Sequence, residues 1–319
     1  MLLLCVSVVP DFFFLTMFAS NCVLSKTTPP PSNSTFVNLS FGRSRYHFSF
    51  CSQNATTVVL IPGFCADYSC YDCLFEHLEM KKKYNVLTFD IYGRGWSEAM
   101  GISMCDSVVV SQLVELLFSL KISGKLILVG WCAGCITSGF FTSRYPDRVV
   151  GIVNLAGHNT PHDTFPARSS IFRLFYSTCL FWFWPLFKNI FGFYFVRYLQ
   201  ANNSGDKQDL MQSFSTFREQ QMTSNPALLR AIFSRLVAVE QPPAHCSRPH
   251  INNVLMKSKI PILTIGGTKD NLFIIPANAA LMEMYNGTLK VFEGAHHALL
   301  RPAFRARTIQ TIDQFLEEI

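Results

Sequence analysis

Residues 126–140 read LILVGWCAGCITSGF, an apolar run that reaches Gly130-Trp131-Cys132-Ala133-Gly134 and continues with helical spacing. A continuous apolar run of this length is the mark of a strand buried on both faces, and such strands belong to parallel sheets. Passing directly from strand to helix needs a very tight turn. A Cβ on either flanking residue would strike neighbouring backbone, so both flanks must be glycine or small. The side chain between them is pushed out into a cleft, and here it belongs to Cys132.

The rest of the chain supplies the sheet this strand needs. FVNLSF (36–41) and YHFSFC (46–51) alternate as an antiparallel pair, and TVVLIPG (57–63) reads as a buried parallel strand. A helix is expected over 71–82. From there strands and helices alternate: YNVLTFDI, a helix over 105–120, KLILVGW, a helix over 133–144, and VVGIVNLAG. The alternation stops at His158 and resumes after Ser258 with IPILTIGG, a helix over 276–285, TLKVFEG and a terminal helix from Phe304. Strands separated by helical patterns imply crossover units. The expected fold is therefore α/β, a mostly parallel central sheet flanked by helices. The core is split into 36–157 and 259–319 by an insertion over 158–258.

That insertion is unusual in composition. Residues 171–199, IFRLFYSTCLFWFWPLFKNIFGFYFVRYL, hold thirteen Phe, Tyr or Trp, broken by Pro185, Lys188 and Gly192. These breaks favour two short amphipathic helices over one membrane span. A helical cap packed on the sheet is expected, with part of its aromatic surface lining an acyl-chain pocket or touching a membrane surface. Of the net charge of +6, five units come from the insertion, which carries ten Lys or Arg against five Asp or Glu. No zinc-finger, basic-helix or aromatic-basic pattern accompanies them, so the expected partner surface is anionic lipid and not nucleic acid.

Residues 1–25 are apolar apart from Asp11 and end with Val23 and Ser25 at signal-peptidase spacing. They resemble a secretory signal, with a membrane anchor as the other reading. A Pro/Ser/Thr linker, KTTPPPSNST, follows at 26–35. Asn33, Asn38, Asn54, Asn202 and Asn286 begin N-x-S/T sequons, which matter only in the secretory pathway. Of the eleven cysteines, Cys5 and Cys22 would leave with the signal; the remaining odd number leaves at least one thiol unpaired in an oxidising compartment, and Cys132 is the candidate.

A thiol at the start of a helix faces the positive end of its dipole, which favours thiolate. Other readings of the same residues are a buried structural cysteine, a Cys132-x-x-Cys135 redox pair, and a zinc site joining Cys70, Cys73, Cys132 and Cys135. Four further motifs bear on the choice. LIPGF lies after the third expected strand, FDIYGRGWSE after the fourth, and TIGGTKDNLF and VFEGAHHALLRP lie near the C-terminus.

With GWCAG, these motifs resemble those of the α/β-hydrolase fold family, in particular its capped esterase and monoacylglycerol-lipase-like members, over about residues 45–319. The resemblance implies Cys132 as nucleophile, Asp270 as orienting acid and His297 as general base. His297 is chosen over His296 by the family's G-x-x-H spacing from Gly294. It also implies an oxyanion hole from the backbone amides of Phe64 and Ala133. Pro62 stands where the family has histidine. Asp90, Gly93, Gly95 and Ser97 match a D-x-x-G-x-G-x-S segment of structural role.

The implied activity is that of a hydrolase or acyltransferase acting on lipophilic esters or thioesters through a covalent acyl-enzyme, with no cofactor and no metal. A thiolate is expelled from a tetrahedral intermediate more readily than an amine, so amides are poor substrates. The alternative is a catalytically weakened protein that binds a small hydrophobic ligand, motivated by Pro62 and Cys132.

Overall fold

In a computed structural model, residues 29–63, 66–99, 104–159, 247–270 and 272–319 are described. The signal-like segment 1–25, the aromatic stretch 171–199, most of the insertion and the expected oxyanion donor Phe64 lie outside the described residues.

The chain begins with a hairpin, β1 (Thr35–Leu39) and β2 (Gly42–Ser49), paired antiparallel with Leu39 opposite Gly42. The second strand therefore starts four residues earlier than its apolar alternation suggests. Arg43 and Arg45 conceal it in the sequence. In the fold both cations are used: the Arg43 guanidinium lies 4.4 Å from the Phe36 ring centre, and Arg45 is buried.

The remaining strands are β3 (Thr57–Ile61), β4 (Asn85–Phe89), β5 (Leu126–Trp131), β6 (Val149–Leu155), β7 (Ile262–Gly267) and β8 (Thr288–Phe292). Together they form an eight-stranded sheet in the order β1-β2-β4-β3-β5-β6-β7-β8, antiparallel through β1, β2 and β4 and parallel from β4 to β8. The expected mostly parallel sheet flanked by helices is the architecture found.

Helices α1 (Asp72–Lys81), α2 (Asp106–Ser119), α3 (Ala133–Arg144), α4 (Arg248–Ser258), α5 (Ile275–Tyr285) and α6 (Pro302–Glu318) cover both faces. Period-two alternation on the strands divides the core. Val59 and Ile61 face α2, α3 and α4 with Leu113, Phe140 and Leu255, whereas Val58 and Leu60 face α1 and α6 with Leu74, Leu78, Ile312 and Leu316. Helix α4 lies within residues 158–258, yet Ile251 and Leu255 are fully buried in the core cluster that α2 and α3 share.

One feature of this order positions the site. The chain passes from β3 to β4 on one side and returns to β5 on the other, so the strand order reverses between β3 and β5. In open α/β sheets such a reversal leaves a crevice at the carboxyl ends of the two strands. Ile61, opposite Gly130, ends β3 there, and Cys132 follows two residues beyond.

Candidate active site

Cys132 sits between β5 and α3 with φ 53° and ψ −117°, a left-handed conformation that costs a non-glycine residue about 1–3 kcal/mol. Close packing on three sides holds it there. A Cβ at Gly130 would lie 2.5 Å from the Cys135 nitrogen, and one at Gly134 only 2.1 Å from the Ile61 carbonyl. From the β6 side, the Cys132 amide donates to the Leu155 carbonyl at 2.9 Å, and a Cβ at Gly157 would lie 2.6 Å from the Cys132 carbonyl. The two glycines flanking the cysteine are thus required by sterics, as the sequence implies.

Asp270 and His297 reach this point from the ends of β7 and β8. A Cβ at Gly267, the end of β7, would lie 2.1 Å from the Ala295 carbonyl, so glycine allows the two loops to meet. The Lys269 amide then donates to the Ala295 carbonyl at 2.9 Å, and the Gly294 amide donates to Thr268 Oγ1 at 2.9 Å. Gly294 itself turns at φ 75°. The result is a contact of 2.8 Å between Asp270 Oδ2 and His297 Nδ1, both residues buried. The other Asp270 oxygen accepts from the Leu272 amide at 2.9 Å, which leaves the carboxylate little freedom to rotate.

His297 is also hydrogen-bonded to Cys132, and the Ala133 amide hydrogen-bonds the same thiol. Burial alone would push the Cys132 thiol up. The charge of His297, its hydrogen bond and the Ala133 amide outweigh burial and hold the thiol below its ordinary value. Burial would likewise push the His297 imidazole down, but the facing thiolate and the Asp270 carboxylate raise it to about 10. Both shifts act in the same sense, favouring transfer of the thiol proton to His297. Cys132 keeps partial exposure to the crevice while its partners are sealed.

Trp131 completes the frame. Its indole N–H donates to the His297 carbonyl at 2.9 Å, and the two rings lie 5.6 Å apart. Gly63, after Pro62, is packed so closely that a Cβ would sit 3.0 Å from the Trp131 ring and 3.3 Å from the Cys132 Cβ.

The structure thus brings together Cys132, Asp270, His297 and Ala133 of the residues singled out in the sequence; Phe64 lies outside the described residues. His296 does not join them, and its buried Nδ1 has no hydrogen-bond partner among the described residues. Cys135 turns away: its sulfur faces the Gly130 carbonyl at 3.1 Å, it is fully buried, and burial pushes its thiol well up. Among the described residues all six cysteines are free thiols, and no group of three or more His, Cys, Asp or Glu is placed to hold a metal ion.

Asp90 has the structural part expected of it. Its side-chain oxygens accept from the Tyr68 amide at 2.9 Å and the Trp96 amide at 3.1 Å, and Arg45 approaches at 3.5 Å. Gly95 is required because a Cβ would lie 2.2 Å from Asp90 Oδ2. The Arg45 guanidinium is held between the Tyr68 and Trp96 rings at 4.1 and 4.5 Å. Sequence reasoning missed Arg45, although an arginine on an apolar strand is the signal that it has a buried partner. It also missed Trp131, whose place inside the pentapeptide was the available clue.

Residues 56–300 match the family model described as the alpha/beta hydrolase fold. No curated protein matches the sequence. Among solved structures, an esterase from Thermogutta terrifontis superposes with a TM-score of 0.70 at 15% identity, covering 90% of this chain and 99% of its own. An esterase from Exiguobacterium antarcticum gives 0.66 at 16% identity, with 89% and 99% covered. The enol-lactonase from Burkholderia xenovorans gives 0.65 at 16% identity, with 89% and 100% covered. At such identities the likeness is one of fold.

Proposed function

Because the chain belongs to the α/β-hydrolase fold family, we propose that it hydrolyses lipophilic carboxylic esters or thioesters, with Cys132 as nucleophile, His297 as acid and base, and Asp270 as the group that orients His297. One observation carries this reading: Cys132 and Asp270 both engage the His297 imidazole, and the thiol is held low while the imidazole is held high.

The chemistry follows from that pairing. The Cys132 thiolate attacks the carbonyl carbon, forming a C–S bond, and the oxyanion is met by the Ala133 amide and by that of Phe64. As the C–O or C–S bond to the leaving group breaks, His297 gives its proton to the departing alkoxide or thiolate. Water then attacks the thioester, His297 takes its proton, and Cys132 leaves as thiolate. An alcohol or thiol in place of water makes the same cycle an acyl transfer. Asp270 fixes the imidazole tautomer and stabilises the imidazolium. Esters, lactones and thioesters suit a thiolate nucleophile better than amides do.

In this reading the aromatic, basic insertion is a cap that receives the acyl chain and meets an anionic lipid surface. The protein works in the secretory pathway: the apolar start of the chain supports this, and Asn33, Asn38, Asn54 and Asn286 of its sequons are exposed. Hydrolysis of a p-nitrophenyl ester series, compared between the wild type and Cys132→Ala, tests the activity. Turnover that depends on Cys132 is expected, and turnover unchanged in the variant would remove the proposed nucleophile.

A further inference from the structure

Tyr71 is fully buried, and its hydroxyl lies 3.1 Å from the Ile61 carbonyl and 3.1 Å from the Val129 carbonyl. These two carbonyls belong to adjacent parallel strands, β3 and β5, at the reversal of strand order. Ile61 is the last residue of β3 before Pro62 and Gly63, and Val129 is the residue before Gly130. One phenolic proton is shared between two acceptors, so the hydroxyl spans the strand ends from which the two sides of the crevice begin.

The contacts around it make this spacing consequential. The Ile61 carbonyl already lies against Gly134, where a Cβ would approach to 2.1 Å, and Gly63 lies against Cys132. A shift of β3 along β5 would therefore move the Pro62–Gly63 turn relative to the Ala133 amide. Pro62 has no side-chain hydrogen-bond donor with which to hold that turn. Tyr71 lies at the end of the short 3-10 helix Tyr68–Tyr71 that leads from this turn into α1, and it reaches back to the strand end the turn left. The segment is fixed at its other end by Asp67, whose carboxylate accepts from the Ser69 amide at 3.2 Å, and by Asp90, which accepts from the Tyr68 amide.

We propose that Tyr71 is a positioning residue, which holds the β3 and β5 strand ends at the separation that keeps Pro62 and Gly63 against Cys132 and the Ala133 amide in place to stabilise the oxyanion. The proposal rests on the reading of Cys132 as nucleophile. It assigns to a buried hydroxyl the restraint that a histidine side chain at position 62 would otherwise offer.

An oxyanion forms when Cys132 attacks an ester but not when it is alkylated, and that difference is the test. The rates of Cys132 acylation by p-nitrophenyl acetate and of alkylation by iodoacetamide are measured in the wild type, Tyr71→Phe and Tyr84→Phe. Tyr84 is the control: it too is buried, and its hydroxyl donates to the Leu316 carbonyl at 2.9 Å, on the α6 side of the fold. Misplacing reacting groups by about 1 Å costs on the order of 100-fold, so acylation should fall about 10- to 100-fold in Tyr71→Phe. Alkylation should stay within about twofold, and Tyr84→Phe should change neither rate. Fluorotyrosine at position 71, which keeps the hydroxyl, should restore acylation. Equal losses in both reactions, no loss in either, or a Tyr71→Phe chain that does not fold would assign the hydroxyl to stability alone and overturn the proposal. A wild type that is alkylated at Cys132 yet never acylated would overturn the functional reading and this inference with it.

Discussion

Two buried charge clusters lie on this sheet, and they differ in what they leave open. Around Asp90 the cluster is closed: its oxygens meet two backbone amides and Arg45, Arg45 is held between two rings, and Asp90, Arg45 and Asp67 are all buried. Around Cys132 the cluster is built from the same kind of parts, with Asp270 fixed by a backbone amide and His297 held by Asp270. Here one residue, Cys132, keeps partial exposure. Burial and pairing of charge give a structural brace when every polar group is enclosed, and a reactive centre when one nucleophile is left facing outward.

The largest expected effect falls on the open cluster. Cys132→Ala should lower ester turnover by more than about 10,000-fold while leaving the circular dichroism spectrum and unfolding midpoint near those of the wild type. Asp270→Asn comes next, with turnover reduced roughly 100- to 10,000-fold, because the wrong histidine tautomer is then favoured. If either substitution instead lowered stability and left turnover alone, the two clusters would not differ in the way described.

The closed cluster should give the converse result. Arg45→Met leaves a buried carboxylate without its cation and should cost about 3–5 kcal/mol in urea unfolding. Alkylation of Cys132 in the folded fraction should be little changed.

His297→Gln sharpens the contrast through acidity. Burial then acts on Cys132 without the opposing imidazolium, so its thiol should rise. The pH profile of iodoacetamide labelling should shift from below the ordinary thiol range to above it. In the wild type, His297 is raised from 6.5 to about 10, so its contribution to stability is complete below pH 6.5 and is lost as pH rises through 10.

The smallest effect belongs to Asp90. Burial, with Asp67 adding to it and Arg45 opposing, raises its carboxyl from 3.8 to about 7. A raised carboxyl binds its proton more tightly in the folded state, so its contribution makes stability fall as pH rises from 3.8 to 7. Urea midpoints for Asp90→Asn at pH 4.5 and 7.0 should lack that part of the slope.

The same contrast explains what the sequence reveals. Buried parallel strands such as Thr57–Ile61 are legible because Val58 to Ile61 form an unbroken apolar run, and the elbow is legible because its glycines are sterically compelled. Asp270 and His297 are legible because each follows a strand end at a fixed offset. Arg45, Tyr71 and Asp67 carry no such mark. Their partners lie 45, 58 and a few residues away along the chain, and a lone arginine in a strand, or a tyrosine before a helix, has many uses. Helix α4 shows the same limit, since Ile251 and Leu255 belong to the sheet's core although the pattern around them merges with the insertion.

The central claim is that Cys132 carries the acyl group. Brief mixing with a p-nitrophenyl ester, acid quenching and peptide mass mapping test it directly. An acyl adduct is expected on the peptide containing Cys132, and neutral hydroxylamine should remove it, as it does a thioester. Ester turnover with the adduct on another residue, or turnover that persists in Cys132→Ala, would contradict it.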